Sequence, residues 1–272
     1  MGIDLDGNNL TGTNFSTLGD TPSTPNVVTD GLVFWLDAGN NSSYINSSNY
    51  YDCGYGCQYY SSNPGCTTCN SQWKDMSGNG NDANMTSTSM INYSNFGGGM
   101  NFNGSNLGTI SYSSTMDFSA AQTICMWIRP GSGSTGARRN LYDQAYAGSG
   151  TLTHEPGTSI SYYFGTGGGN NSPYVGIDSG FGVTSNELAF ITVTRSQSQN
   201  ICRWSKNGVK FTDTNAGGYA SVTNSTNNIR IGLGYTGAYY LGDIYVVMVY
   251  NKFFTDAEVL INYNNGRQRF GV

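Results

Sequence analysis

Leu32-Val33-Phe34-Trp35-Leu36 stands between Gly31 and Asp37-Ala38. Its apolar side chains fall on both faces of an extended chain, which suits a strand held inside two packed layers. Further strand candidates follow at the short spacing of a β-sandwich: Gly99–Asn103, Gly108–Tyr112, Thr123–Arg129, Ser159–Phe164, Leu188–Arg195 and Ile201–Lys206. Val209–Thr212, Ile229–Leu233 and Asp243–Tyr250 complete the set. Asn207-Gly208 separates two alternating runs, and both residues accept the positive φ of a type I′ hairpin. One helix is expected, near 255–265. Thr255-Asp256-Ala257-Glu258 reads as a capping box, Val259, Leu260 and Tyr263 as its buried stripe, and Gly266 as its stop.

The pattern predicts an all-β jelly-roll sandwich over 31–272 with one short C-terminal helix. Residues 1–30 are polar and without periodicity, and read as an extended N-terminal arm. Residues 39–72 read as a Cys-rich insertion. A core is expected around Trp35, Trp127, Phe190, Val193, Ile244 and Val246.

A chain of 272 residues suits one large sandwich and can bury a sizeable core. Charged residues make up 11% of it, against about 25% in ordinary globular proteins. A net charge of −5 with 12 Lys+Arg argues against nucleic acid and against an anionic membrane surface as partners. No apolar run approaches the ~18 residues of a membrane span. The start, MGIDLDGNNLTGTNF, has neither the basic nor the apolar part of a secretory signal. The expected history is synthesis in a cytosol, where the protein stays or which it leaves by lysis.

Four stretches carry a family resemblance: Gly31–Ala38, the turn Trp73-Lys74-Asp75-Met76-Ser77-Gly78-Asn79-Gly80-Asn81, the hairpin Trp204–Gly208, and the closing Gly242-Asp243-Ile244 to Asn264. In order and content they resemble the concanavalin A-like, laminin-G-like domains of tailed-phage structural proteins, especially phages of marine cyanobacteria. Ala83 replaces a glycine frequent in that family, and the 39–72 insertion is an embellishment. The resemblance implies a virion protein assembled in the host cytoplasm and displayed on the particle surface, as capsid decoration or fibre component. Partners would be other virion proteins and sister subunits, held through the arm by strand addition, and cell-surface glycans. A receptor-binding lectin module of a tail fibre is the first alternative, and a sandwich glycoside hydrolase the second.

Residue chemistry speaks against catalysis. A retaining hydrolase needs two carboxyl groups about 5 Å apart, and related sandwich enzymes space them i, i+2, i+4 on one strand. Glu155, Glu187 and Glu258 are the only glutamates, and none has an acidic residue two or four positions away on a strand, since Glu258 belongs to the helix cap. His154, the single histidine, reads as a loop residue on a rim, with no nucleophile elbow to serve. Gly165–Gly169 lacks the Lys-Ser/Thr of a phosphate loop and reads as flexible. No catalytic residue and no required cofactor are expected.

Structural sites remain open. Cys53, Cys57, Cys66 and Cys69 suit two disulfides, a zinc site or free thiols, whereas Cys125 and Cys202 lie in strand patterns and read as buried hydrophobes. Asp37, Asp75, Asn79 and Asn81 offer oxygens to calcium, or else they make turns. Tyr146, Tyr162, Tyr163, Tyr174, Phe181, Tyr235, Tyr239 and Tyr240 flank Gly-rich segments. Of these, Tyr146, Tyr174, Phe181, Tyr235, Tyr239 and Tyr240 are the candidates for glycan or partner contact, against a role on sandwich edges and subunit contacts.

Overall fold

The computed structural model describes residues 27–40, 42–44, 51–52, 58–59, 72–87, 90–92, 96–215, 222–234 and 237–272. In chain order the strands begin with β1 (Leu32–Asp37), β2 (Tyr51–Asp52), β3 (Gln58–Tyr59), β4 (Gln72–Trp73), β5 (Ala83–Met85) and β6 (Ile91–Asn92). Next come β7 (Gly99–Asn103), β8 (Gly108–Ile110), β9 (Ala121–Pro130), β10 (Arg139–Ala145), β11 (Gly150–His154) and β12 (Ser159–Gly165). β13 (Tyr174–Gly182), β14 (Ala189–Ser196), β15 (Ile201–Lys206), β16 (Val209–Asn215), β17 (Ile229–Ile231) and β18 (Leu241–Tyr250) precede the helix α1 (Asp256–Phe270).

Two antiparallel eight-stranded sheets form the sandwich. The first runs β16-β15-β14-β9-β18-β7-β6, with β1 also paired to β18; the second runs β13-β12-β11-β10-β17-β8-β5-β4. β18 is long enough to hold β7 along its first half and β1 along its second. Asn207-Gly208 turns β15 into β16 with φ of 52° and 77°, as the hairpin reading requires.

The expected core residues are all buried, but they divide between two clusters. Val193 and Ile244 lie between the sheets with Phe34, Trp73, Trp204 and Ile229. Trp35, Trp127, Phe190 and Val246 lie on the other side of the first sheet, under Val259 and Phe270 of α1. Strands of the first sheet are therefore apolar on both faces, which is why Leu32–Leu36 shows no alternation. Covering each such side chain contributes about 1.5–3 kcal/mol, and α1 forms a third layer on the outer side of the first sheet. Val27 is buried in the same cluster, and the Val28 N–H donates to Asn262 Oδ1 at 2.9 Å. The last residues of the expected arm thus belong to the sandwich; residues 1–26 lie outside the described residues.

The capping box is present, with Thr255 and Glu258 each bonding the other's backbone N–H. Two helix expectations fail. Gly266 does not stop α1, which continues to Phe270 and ends on Gly271 in the left-handed region. A Cβ at Gly266 would stand 2.5 Å from the Trp127 indole nitrogen, so the glycine admits the ring. Leu260 is exposed, because the helical period that buries Val259, Asn262 and Phe270 turns residue 260 outward. Among the described residues no helix is long and apolar enough to cross a membrane.

Candidate functional site

Along β12, Ile160, Tyr162 and Phe164 point into the core, so Ser161 and Tyr163 point away from it. Strand register extends that outward face across the whole second sheet. Gln72 pairs with Asn84, Asn84 with Thr109, and Thr109 with Arg230. Arg230 pairs with Asp143, Asp143 with Thr151, Thr151 with Tyr163, and Tyr163 with Gly176. Eight strands about 4.8 Å apart make this transverse row roughly 34 Å long. It is exposed or half-buried from Gln72 to Arg230 and sinks below the surface at Asp143 and Thr151, whose side chains bond each other.

An aromatic block occupies the β12–β13 end. Tyr146 stacks on Tyr163 with ring centroids 4.5 Å apart, and Tyr174 meets Tyr146 edge-on at 4.6 Å. Glycines make the arrangement fit: a Cβ at Gly176 would lie 2.4 Å from the Tyr163 ring. Arg138 lies over the Tyr163 ring, donates to its hydroxyl at 2.9 Å and pairs with Glu155 at 2.9 Å. The Tyr163 and Thr153 hydroxyls donate to the other Glu155 oxygen at 3.1 and 2.6 Å. Burial and the Glu155 carboxylate both push the Tyr163 phenol up, so it stays neutral. Tyr174 is 41% exposed and offers its ring to solvent.

Chemically, the face combines a ring for stacking with amides, hydroxyls and one guanidinium. The Arg230 guanidinium makes no hydrogen bond or ion pair with any described residue, whereas that of Arg138 is tied to Glu155. Donors and acceptors beside an aromatic platform are the chemistry that polyhydroxylated ligands require.

Among the glycan candidates, Tyr146 and Tyr174 converge here with Tyr163. Phe181 does not: it is buried against Trp204 at 6.0 Å because β13 turns it into the core. Tyr240 is fully buried against Phe102, and Tyr162 is a core residue bonded to Gln122 at 2.6 Å. Tyr239 is half-buried, with its carbonyl accepting from Arg139 at 3.2 Å, and takes no part in the block. Tyr235 lies outside the described residues. Arg138, Glu155, Asp143 and Arg230 were not singled out as site residues. The period-two pattern of 160–164 would have shown that Tyr163 faces out and Tyr162 in.

The motif around Asp75 makes a turn. Asp75 Oδ1 accepts from the Trp35 and Ser77 N–H groups, and Oδ2 from the Asn81 N–H and the Ser77 hydroxyl, all within 2.9 Å. Asn79 and Asn81 donate to the Val33 carbonyl at 3.0 and 2.8 Å, stitching the turn to β1. Asp37 instead pairs with Arg269 of α1, whose guanidinium also reaches the Phe96 and Gly98 carbonyls. Among the described residues no group of three or more His, Cys, Asp or Glu side chains gathers as for a metal. Cys53, Cys57, Cys66 and Cys69 lie outside the described residues; Cys125 and Cys202 are free and buried.

The other glutamates are structural. Glu187 pairs with Lys206 at 2.6 Å and accepts from Thr184 at 2.8 Å. Burial pushes its carboxyl up, but the Lys206 and Thr184 donors outweigh this and hold it below its ordinary value. Glu258 serves the helix cap and Lys252. His154 is no rim residue. It closes β11, fully buried, with Nε2 2.8 Å from the Val183 carbonyl. Burial keeps the ring below its ordinary pKa and neutral. The 165–169 segment is bonded to the 147–148 turn, Gly168 N–H to Ala147 at 2.8 Å and Ala147 N–H to Gly169 at 2.7 Å.

Residues 102–260, more than half of the chain, match the sequence profile of the concanavalin A-like lectin/glucanases superfamily. The chain belongs to that superfamily. No curated protein matches this superfamily member in sequence. Among solved structures it is similar to the binding domain of Paraclostridial Mosquitocidal Protein 1, with TM-score 0.60 and 16% identity over 87% of this chain and 52% of that one. The receptor binding domain of botulinum neurotoxin mosaic serotype C/D gives TM-score 0.58 and 12% identity, covering 87% and 51%. The binding domain of botulinum neurotoxin DC, solved in complex with rat synaptotagmin II, gives 0.55 and 12%, covering 87% and 52%. At these identities the likeness establishes the shared fold. This superfamily member spans about half the length of each of those chains. All three matched structures are binding domains of toxins.

Proposed function

We propose that this chain is a non-enzymatic adhesion module that contacts cell-surface glycans through the outer face of its second sheet, displayed on the surface of a tailed-phage particle. The observation that carries the adhesive part is the transverse row from Gln72 to Arg230 running up to the Tyr146–Tyr163–Tyr174 block. Arg138 is already neutralised by Glu155, so the Arg230 guanidinium is the charged donor on the exposed stretch of the row from Gln72 to Arg230. The engagement of Glu155, Glu187 and Glu258 in structural pairs supports a role without hydrolysis. That three toxin binding domains share the fold is compatible with recognition of a cell surface.

The virion part draws on the four phage-like motifs and their order. In this reading the module is a capsid decoration or fibre component, assembled in the host cytoplasm, and its N-terminal residues attach it to sister subunits or neighbouring virion proteins. Both Val27 and α1 lie on the first sheet, so attachment there leaves the second sheet facing outward.

A glycan array probed with the wild-type chain and with Tyr174→Ala tests the adhesive part. Saturable binding by the wild type, weakened about tenfold or more in Tyr174→Ala, is expected. Absence of binding to any glycan would contradict it. Antibody labelling of intact particles tests the location, and unlabelled particles would contradict that part alone.

A further inference from the structure

Arg230 and Arg138 belong to the same sheet and differ in what their charge meets. The Arg230 guanidinium has no partner among the described residues, whereas the charge of Arg138 is cancelled within the tyrosine block. Leu152 points into the core, so Thr151 and Thr153 point outward with their partners Tyr163 and Ser161. Glu155 bonds to that outward set. Its Oε1 accepts from the Thr153 and Tyr163 hydroxyls at 2.6 and 3.1 Å, and its Oε2 from Arg138 Nε at 2.9 Å. Arg138 Nη2 donates to the same Tyr163 hydroxyl at 2.9 Å. The Arg138 side chain is 37% exposed and that of Glu155 only 13%, so the pair shows solvent mainly its donors. Asp178, opposite Ser161 on β13, is exposed and brings a further carboxylate to this end of the face. The block therefore offers nitrogen donors without net positive charge. Three strand spacings, roughly 14 Å, separate β12 from the strand of Arg230. That exceeds the Debye length of about 8 Å at physiological salt, so a ligand meets the two arginines as separate charges.

Resting on the adhesive reading above, we infer that Glu155 is a specificity-determining residue: by cancelling the Arg138 charge, it makes the tyrosine block accept an uncharged sugar and refuse one that bears a carboxylate or sulfate. For an uncharged unit the Arg138 N–H groups not used by Glu155 and Tyr163 remain donors to hydroxyl or ring oxygens. An acidic unit would lose hydration at the block without gaining an unpaired cation, and would approach Glu155 and Asp178 with like sign. Glu155→Gln reverses this with little change of shape. The amide oxygen can accept from Arg138 Nε and the amide NH2 can donate to the two hydroxyl oxygens, while one negative charge is removed.

The test measures binding to matched pairs of printed oligosaccharides. One member carries a carboxylated sugar and the other the same sugar reduced to its alcohol, and the wild-type ratio of the two affinities is the reference. Glu155→Gln is expected to shift that ratio toward the acidic member by about threefold or more. Arg138→Gln, which leaves Glu155 uncompensated, should shift it the other way by a similar factor. Both shifts should shrink in about 0.5 M salt. Each variant breaks the same pair, so structural damage alone would move the two in one direction. Tyr163→Phe removes the hydroxyl bonds, keeps both charges and should keep the wild-type ratio. Ratios that shift together, or not at all, would overturn the role of Glu155 while leaving adhesion intact. Absence of wild-type binding to either member would contradict the adhesive reading, and this inference with it.

Discussion

On the outer face of the first sheet, Trp35, Trp127, Phe190 and Tyr245 lie buried beneath α1. On the outer face of the second, Asn84, Thr109, Arg230 and Tyr163 remain exposed or half-buried. Both faces are built on antiparallel strands, and every second residue makes the difference. Large rings at the outward positions of β1, β9, β14 and β18 create a surface that water cannot satisfy, and the chain folds a helix back over it. Amides, hydroxyls and a guanidinium at the outward positions of β5, β8 and β17 stay hydrated and need no cover. The covered face stabilises the fold, and the uncovered one stays open to solvent.

The sharpest way to break this contrast is on the covered side. Trp127 packs between Phe270 at 4.3 Å, Phe190 at 5.2 Å and Tyr263 at 5.6 Å. Trp127→Ala is expected to cost about 3–5 kcal/mol in denaturant unfolding. A loss below about 1 kcal/mol would mean that the helix layer does not stabilise the fold. Gly266→Ala refines the point. In an exposed helix the change is worth up to about 1 kcal/mol in favour of alanine. Here the new methyl would press on the Trp127 indole, and overpacking of this kind costs about 1–3 kcal/mol. Stabilisation by Gly266→Ala would show that α1 sits farther from the sheet than described.

The strand run Gly99–Asn103, the hairpin at Asn207-Gly208 and the capping box were legible because local chemistry decides them. β10, β11 and β13 were not. Thr151, Thr153, Asp143 and Gln144 are buried polar residues, bonded to neighbouring strands or, for Gln144, to the distant Ser225 carbonyl, and in β10 and β11 they erase the apolar alternation that marks a strand. Phe181 and Tyr240 looked like loop aromatics because glycines flank them, yet both are buried in the core. The candidate site was half legible. Tyr146 and Tyr174 announced themselves as tyrosines near glycines, whereas the role of Arg230 follows only from a register spanning four strands.

His154 gives a pH test on the second sheet's inner side. Its folded pKa lies below the ordinary value of 6.5, chiefly through burial. Below that value the unfolded chain therefore binds more protons than the folded one, and stability falls as pH falls. The urea midpoint should begin to drop as pH is lowered through about 6.5, above the range where carboxylates titrate. His154→Leu should remove that portion of the slope. A flat midpoint from neutrality down to the carboxylate range would place the histidine in water and not in β11.

The smallest stability effect is expected at the open face. Tyr174→Ala should alter unfolding free energy by about 0.5 kcal/mol or less, as at an exposed position, even though it removes the stacking ring. The contrast between the two faces is tested most directly by hydroxyl-radical footprinting of the wild-type chain, with and without the strongest array glycan at saturation. Protection of Tyr146, Tyr163 and Tyr174 with unchanged labelling of Leu260 and Ile261 on α1 is the predicted result. Protection confined to α1, with the three tyrosines labelled as in the free protein, would contradict the assignment of the second sheet as the contact face.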